Sequence, residues 1–194
     1  MKKMYFAHPV NTYNKPVEKA FVKLIVGTLF GSNSDFIENP NQPHHQVGYD
    51  KWARRKVESS TNHKGMNYYY EEVLPHCTNC VAVPFLDGRL GLGVASEAKW
   101  FLERNQYVWL VIPIQNVTAK DLATFVRDPF NGLFEVRPTT DEEKNQILGS
   151  DPKIVVPHEE TRLRTWKIYN RVERPYEEAH LVRMPIPDGF YPTT

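Results

Sequence analysis

The chain has 194 residues, with 24 Lys and Arg against 23 Asp and Glu, so its formal net charge is +1. This balance argues against a nucleic-acid coat protein or a polybasic membrane anchor, because both need an excess of positive charge. Hydrophobic residues make up 41% and aromatic residues 12%, enough for a packed core. Two cysteines are too few for a disulfide framework, and no apolar run has the roughly 20 residues of a membrane-spanning helix. We therefore expect a cytoplasmic globular protein.

Strand and helix patterns alternate along the first half of the chain. The apolar run at residues 3–7 predicts a buried strand. The next residues predict a helix with Asn14 as its cap, Pro16 in its first turn and Gly31 at its end. A second strand is predicted at residues 35–38. A polar loop, a short amphipathic helix and a further helix then follow at residues 41–45, 49–57 and 68–74.

The clearest strand pattern lies in the middle of the chain, at residues 80–86. A glycine-rich turn follows at residues 87–93, then a helix at residues 94–104 and a strongly apolar strand at residues 107–112. Strand, helix and strand at this spacing are typical of a parallel sheet with crossover helices. The pattern predicts an α/β fold of three layers with a mainly parallel sheet.

Glycine and proline interrupt the pattern beyond Pro113. Short strands are predicted at residues 133–136 and 154–156, and charged helices at residues 141–147 and 159–169. No low-complexity linker separates these residues from those before them. We therefore treat residues 1–114 as an α/β core and residues 115–194 as a C-terminal extension of the same domain.

The glycine-rich turn is the most informative segment for function. Gly91 and Gly93 leave backbone N–H groups free at the start of the next helix, where the helix dipole favours an anion. Ser96 adds a hydroxyl donor, and Glu97 is expected in the first helical turn, facing the same crevice. The alternative is that Glu97 only complements the helix dipole and that the glycines serve packing.

A second group of polar residues surrounds the end of the first predicted strand. It contains Tyr5, His8, Asn11, Thr12 and Tyr13, and Pro9 lies in the same turn. Loops that follow adjacent parallel strands converge at one edge of the sheet, so this group and Glu97 are expected to share a pocket. Tyr5 can equally be a core aromatic, which is the more frequent position of a strand tyrosine.

Three motifs resemble one enzyme family. Residues 5–9, Tyr-Phe-Ala-His-Pro, resemble the opening strand of the nucleoside 2-deoxyribosyltransferases and the related nucleotide N-glycoside hydrolases. Residues 93–97 resemble the Gly-x-x-x-Glu element of that family, and residues 39–40 resemble the end of its second strand. The resemblance covers roughly the first 115 residues, judged on the order and spacing of motifs. It implies a Rossmann-like (flavodoxin-like) sheet, no cofactor, and a homo-oligomer in which a neighbouring subunit completes the site.

The resemblance also implies roles for the acidic residues. Glu97 matches the family's nucleophile, and Glu71 is the nearest match to the acid that assists the leaving base, with Asp87 as a further candidate. The chain departs from the family where Asn79 replaces an Asp at the start of the central strand. His8 stands where relatives often carry glycine. Substrate and reaction subtype therefore stay open.

The chemistry follows from these residue types. Cleavage of an N-glycosidic bond leaves positive charge on the sugar and negative charge on the base. Glu97 would trap C1′ covalently, Glu71 or Asp87 would protonate the base, and a hydrogen bond from Tyr5 would keep Glu97 ionised and oriented. We expect an enzyme that acts on a nucleoside or nucleotide, as hydrolase or transferase. The alternatives are a non-catalytic nucleotide-sensing module and a glycosyltransferase that uses the same pocket.

Two other constellations have simpler explanations. His76, Cys77 and Cys80 form a Cys-x-x-Cys pair beside a histidine, and His63 or residues 44–45 would complete a zinc site. Because Cys80 falls where a buried strand begins, we interpret the cysteines as packing thiols and predict no metal site.

The other constellation is aromatic and basic. Residues 68–70 and Trp52, near the basic residues 54–56, have the composition of a nucleic-acid-binding surface. A helix with one aromatic core face explains them equally well, and the overall charge favours that interpretation. We therefore expect no nucleic-acid or membrane partner.

Overall fold

The computed structural model of the protein describes residues 3–31, 33–54, 65–157 and residue 160. Its strands are β1 (Lys3–Ala7), β2 (Ile37–Glu38), β3 (Cys77–Ala82), β4 (Leu90–Gly91), β5 (Val108–Pro113), β6 (Phe134–Pro138) and β7 (Val155–Val156). Its helices are α1 (Pro16–Leu29), α2 (Pro43–Ala53), α3 (Met66–Tyr68), α4 (Leu92–Leu102), α5 (Ala119–Arg127) and α6 (Asp141–Gly149).

Five strands form the central sheet, in the order β2-β1-β3-β5-β6. Strand β1 pairs in parallel with β2 on one side and with β3 on the other, and β3 pairs in parallel with β5. Strand β6 is antiparallel to β5 at the edge. Strand β2 is added on one side of β1, and the later strands are added on the other side, so the strand order switches between β1 and β3. Open α/β sheets bind ligands at this type of switch point. The predicted α/β fold with a mainly parallel, Rossmann-like sheet is confirmed.

Side chains alternate between the two faces of the sheet because the strand period is two residues. Met4 and Phe6 of β1 belong to the core under α1 and α5. Tyr5 and Ala7 belong to the opposite core, which Ala98 of α4 joins. Two helical layers therefore enclose the sheet, and α4 covers the face that Tyr5 occupies.

Two helices begin earlier than the sequence pattern indicated. Helix α2 starts at Pro43, so part of the predicted polar loop is helical, with proline at the first position where its missing N–H costs nothing. Helix α4 starts at Leu92 directly after β4, with Gly91 as its N-cap. Helix α1 has Lys15 and not Asn14 as its N-cap, because Asn14 adopts a left-handed conformation with φ 61°.

The region before β3 also departs from the prediction. The α-helical turn α3 continues into a π-helical turn at Tyr69–Val73 and a 3-10 turn at Leu74–His76. Strand β3 begins three residues earlier than predicted and ends at Ala82. Its register with β1 moves from Lys3–Cys77 to Met4–Asn79, which leaves Thr78 as an extra residue.

Residues 115–157 add to both the sheet and the helical layers. Helix α5 was not predicted from the sequence pattern. It begins with a capping box between Thr118 and Asp121 and packs on α1. Helix α6 packs on α4, and β7 pairs with β4 in parallel. Except for residue 160, the helix predicted at 159–169 lies outside the described residues. Within the described part of the chain, every helix is too short or too polar to cross a membrane.

Candidate active site

A buried carboxyl group, Glu97, meets a buried phenol, Tyr5, between α4 and β1. The Tyr5 hydroxyl donates a hydrogen bond of 2.8 Å to Oε1 of Glu97, although the two residues are 92 positions apart. Glu97 is 8% exposed and Tyr5 is fully buried. The Tyr5 ring is fixed by Phe101 and Tyr69, with ring centroids at 6.2 and 6.4 Å. The structure thus contains the Tyr5–Glu97 bond that the sequence analysis predicted.

The charge state of Glu97 differs from the expectation. Burial raises the pKa of Glu97 to about 8, and the hydrogen bond from Tyr5 lowers it by a smaller amount. The free energy needed to remove a carboxylate from water is larger than the stabilisation by one phenolic hydrogen bond. Glu97 is therefore mostly protonated at pH 7, and Tyr5 orients the carboxyl group without keeping it ionised.

Other phenols surround Glu97. Burial, followed by the proximity of Glu97, raises the pKa of Tyr70 to about 12 and raises the pKa of Tyr69 above its ordinary value. The pKa of Tyr13 is also raised, by burial and by the proximity of Tyr69 and Glu97. These three phenols therefore lie close enough to Glu97 for its charge to act on them.

The glycine-rich turn has a different geometry from the one predicted. Because α4 starts at Leu92, Glu97 lies in its second turn and not in its first. The Ser96 hydroxyl donates to the Leu92 carbonyl oxygen at 2.8 Å, so it is engaged within its own helix. Gly91 is buried, whereas Gly93 is exposed, and a side chain added at Gly93 would meet no atom within 4 Å.

The loop after β1 supplies the remaining predicted binding residues. His8 is buried, with its ring 4.0 Å from Phe6 and 4.8 Å from Tyr13 between centroids, and its Nδ1 lies 2.9 Å from the Phe6 carbonyl oxygen. Pro9 is buried and Asn11 is half-buried. The His8 ring therefore packs against both Phe6 and Tyr13.

Glu18 is a second buried carboxyl group, which the sequence analysis missed. It accepts hydrogen bonds from the Asn14 backbone N–H at 2.6 Å, from the Asn39 side chain at 2.8 Å and from the Asn41 side chain at 2.9 and 3.1 Å. Nε2 of His8 lies 3.4 Å from its Oε1, an ion-pair contact that is not aligned as a hydrogen bond. Glu18 thus joins the loop after β1 to the loop after β2. The signal in the sequence that could have identified Glu18 is its position in the first turn of the predicted helix.

The two candidate acids for the leaving base lie on the surface. Glu71 is exposed in the π-helical turn. Asp87 is exposed and accepts hydrogen bonds from the Arg89 backbone and guanidinium, at 3.3 and 3.0 Å. The structure pairs neither with Glu97, so their catalytic role stays a prediction.

Both cysteines are buried in the core beneath α4. The extra residue Thr78 places Cys77 and Cys80 on the same face of β3, although they are three positions apart. Burial raises the pKa of Cys77 to about 12, as expected for a packing thiol. The proposed zinc partner His63 lies outside the described residues.

The aromatic run before β3 lies within the protein. Tyr69 is buried, and Tyr68 and Tyr70 are half-buried against the same core. These rings contribute to a core face, as the simpler interpretation held. A separate groove of about 490 Å³ runs along β2, lined by residues that include Lys3, Asp35 and Gln42, and does not contain Glu97.

Comparison of the chain with protein-family models, with curated proteins and with solved structures gave no match.

Proposed function

We propose that the protein cleaves or transfers the N-glycosidic bond of a nucleoside or nucleotide, with Glu97 as the nucleophile. The observation that carries the proposal is the buried bond of 2.8 Å from Tyr5 to Glu97 beside the β1/β3 switch point. A phenol that binds one carboxyl oxygen leaves the other oxygen for a substrate. The phenol rings of Tyr13, Tyr69 and Tyr70, on which the charge of Glu97 acts, are side chains suited to contact a planar base.

The reaction would proceed in two displacements. After Glu97 has lost its proton, its free oxygen attacks C1′, and the C1′–N bond breaks with its electron pair going to the base. The departing base takes a proton, for which Glu71 and Asp87 are the proposed donors. Water or a second base then attacks C1′ and gives its proton to the carboxylate left by the first step, while the bond from C1′ to Glu97 breaks and releases the Glu97 carboxylate. The acceptor in this second step distinguishes a hydrolase from a transferase.

A specific observation favours a second candidate function. Because the pKa of Glu97 is raised to about 8, the carboxyl group is neutral in most molecules at pH 7 and is then a hydrogen-bond donor, not a nucleophile. A neutral carboxyl group beside aromatic rings also suits a module that binds a nucleoside or nucleotide without turning it over.

Incubation of the protein with a panel of nucleosides and 5′-monophosphates tests both functions. Free base detected by chromatography supports hydrolysis, and sugar transferred to an added second base supports transfer. Glu97→Gln keeps the size and hydrogen bonding of the side chain, so base release should fall by orders of magnitude while ligand binding persists. The matched control is Glu103→Gln, an exposed residue at the end of the same helix. Binding without base release supports the binding module, and a fully active Glu97→Gln protein rules out the nucleophile.

A further inference from the structure

A cluster of two histidines and one glutamate lies at the end of β2, separate from Glu97. Nε2 of His45 is 2.7 Å and Nε2 of His44 is 3.9 Å from Oε1 of Glu38, and the three ligand atoms all lie within 4.8 Å of one another. We propose that Glu38, His44 and His45 bind a divalent transition-metal ion of the Zn²⁺ class. This departs from the sequence analysis, which considered zinc only together with the cysteines and predicted no metal site.

The ligand type and spacing fit such an ion. Two imidazoles and one carboxylate form a donor set that Zn²⁺ and its neighbours in the first transition row accept, with positions left for water or another ligand. Bonds of about 2.0–2.1 Å place tetrahedral ligand atoms about 3.3 Å apart. The distances of 2.7 and 3.9 Å lie on either side of that value, so small side-chain rotations complete the site.

Both imidazoles lie close to the carboxylate. Glu38 is the last residue of β2, and His44 and His45 follow Pro43 in the first turn of α2. Consecutive helical side chains normally point about 100° apart. Here the two rings lie with their centroids 4.0 Å apart, on the side of the helix that faces Glu38.

A further contact orients the buried ligand. Nδ1 of His45 lies 3.0 Å from the Tyr68 hydroxyl, which is the kind of partner that fixes the ring of a metal-ligating histidine. Gly48 makes this contact possible, because a Cβ there would lie 2.2 Å from Cζ of Tyr68. Helix α2 thus supplies two ligands and the space for the residue that orients one of them.

Lys3 carries a positive charge that opposes the binding of a cation to the cluster. Its Nζ lies 2.7 Å from Oε2 of Glu38, which leaves Oε1 for the ion. Its side chain is 41% exposed and can turn toward solvent when a cation binds. Removal of this charge should strengthen metal binding, because it competes for the same carboxylate.

Titration of the chelator-treated, full-length chain with Co²⁺ tests the proposal. We expect one saturable site with the visible absorption bands of a low-coordinate Co²⁺ complex. Addition of one equivalent of Zn²⁺ should displace Co²⁺ and remove these bands. Glu38→Gln and His44→Gln should each lower the affinity at least about 10-fold, and Tyr68→Phe should lower it about 10–100-fold. Lys3→Met should raise the affinity.

The controls separate this site from others. His76→Gln removes an exposed histidine outside the cluster and should leave binding unchanged. His44 is also exposed, with 61% of its side chain accessible, so His44→Gln should fold normally and gives a clear result even if a core variant does not. Glu97→Gln should retain full Co²⁺ binding, so failure of the proposed enzymatic function leaves this result unaffected. Absence of saturable binding, or equal affinity in His44→Gln and the parent protein, overturns the proposal.

Discussion

Glu18 and Glu97 are both buried carboxyl groups, and their pKa values move in opposite directions. Burial raises the pKa of both, but at Glu18 the contacts with His8, Asn39 and Asn41 outweigh burial and lower it. At Glu97 the single hydrogen bond from Tyr5 does not offset burial, and the pKa rises to about 8. Glu18 and Glu97 both also raise the pKa of Tyr13, so the charge of each acts on the same phenol.

The first prediction concerns stability and pH. The folded pKa of Glu97 is about 8 against an ordinary value of 4.5. Between these values the folded protein holds a proton that the unfolded chain has released, so the free energy of unfolding should fall as pH rises, by at most about 1.4 kcal/mol per pH unit. Glu97→Gln removes this dependence. Denaturant unfolding at pH 5 to 8 should show the variant gaining stability over the parent as pH rises, and parallel curves would contradict the raised pKa.

The second prediction concerns catalysis and pH. If Glu97 is the nucleophile, only its ionised form attacks, so kcat/KM should rise about tenfold per pH unit below the pKa of about 8 and level off above it. The measurement is the rate of base release from one nucleoside between pH 5.5 and 9.5. A rate that is already constant at pH 6 would show that the proton on Glu97 does not limit the reaction.

The third prediction concerns the Tyr5 hydroxyl. Tyr5→Phe removes the bond that lowers the pKa of Glu97, so the rising limb of the activity profile should move to higher pH. Turnover should fall more than stability, since the ring still fills its space. Tyr49→Phe is the matched control, because burial and Asp50, and not Glu97, raise the pKa of this half-buried phenol of α2. Loss of stability with unchanged turnover in Tyr5→Phe would identify Tyr5 as a core residue only.

The fourth prediction concerns Glu18, which connects two loops. Glu18→Gln replaces a carboxylate that accepts several hydrogen bonds by an amide with one acceptor oxygen. The donors left unpaired should cost about 1–3 kcal/mol of unfolding free energy. Because the folded pKa is lowered, the stabilisation is present above the unfolded value near 4.5 and is lost as pH falls through the folded pKa. Denaturant unfolding at pH 7 and pH 3 measures both effects, and Glu103→Gln should show neither.

The sequence indicated the sheet through local patterns, and it indicated the Tyr5–Glu97 pair through the expected topology and the family resemblance. Strands β1 and β5 are continuous apolar runs, and residues at the ends of parallel strands meet through topology. Glu18 was missed because its partners Asn39 and Asn41 come from a distant loop without periodicity. The start of α4 was placed too late because its N-cap, Gly91, has no side chain that could signal a helix start by capping.

The surface available for association could be located only in the structure. In the aromatic run at residues 68–70, Tyr69 is buried and Tyr68 and Tyr70 pack half-buried against the core. Exposed apolar residues lie elsewhere. Val10 follows β1 and is 47% exposed, and Ile114 follows β5 and is 61% exposed. Both stand at the carboxyl edge of the sheet.

The last prediction is that the protein forms a homo-oligomer through this edge, as the family resemblance implies. Burial of Val10 and Ile114 against a second subunit would remove apolar surface from water and exclude solvent from the site. Light scattering over a dilution series should give a mass above the 22.6 kDa of one chain. Ile114→Glu should dissociate the assembly, whereas Val47→Glu, at a 68% exposed position on α2, should not. A 22.6 kDa species at every concentration would instead favour closure of the site within one chain.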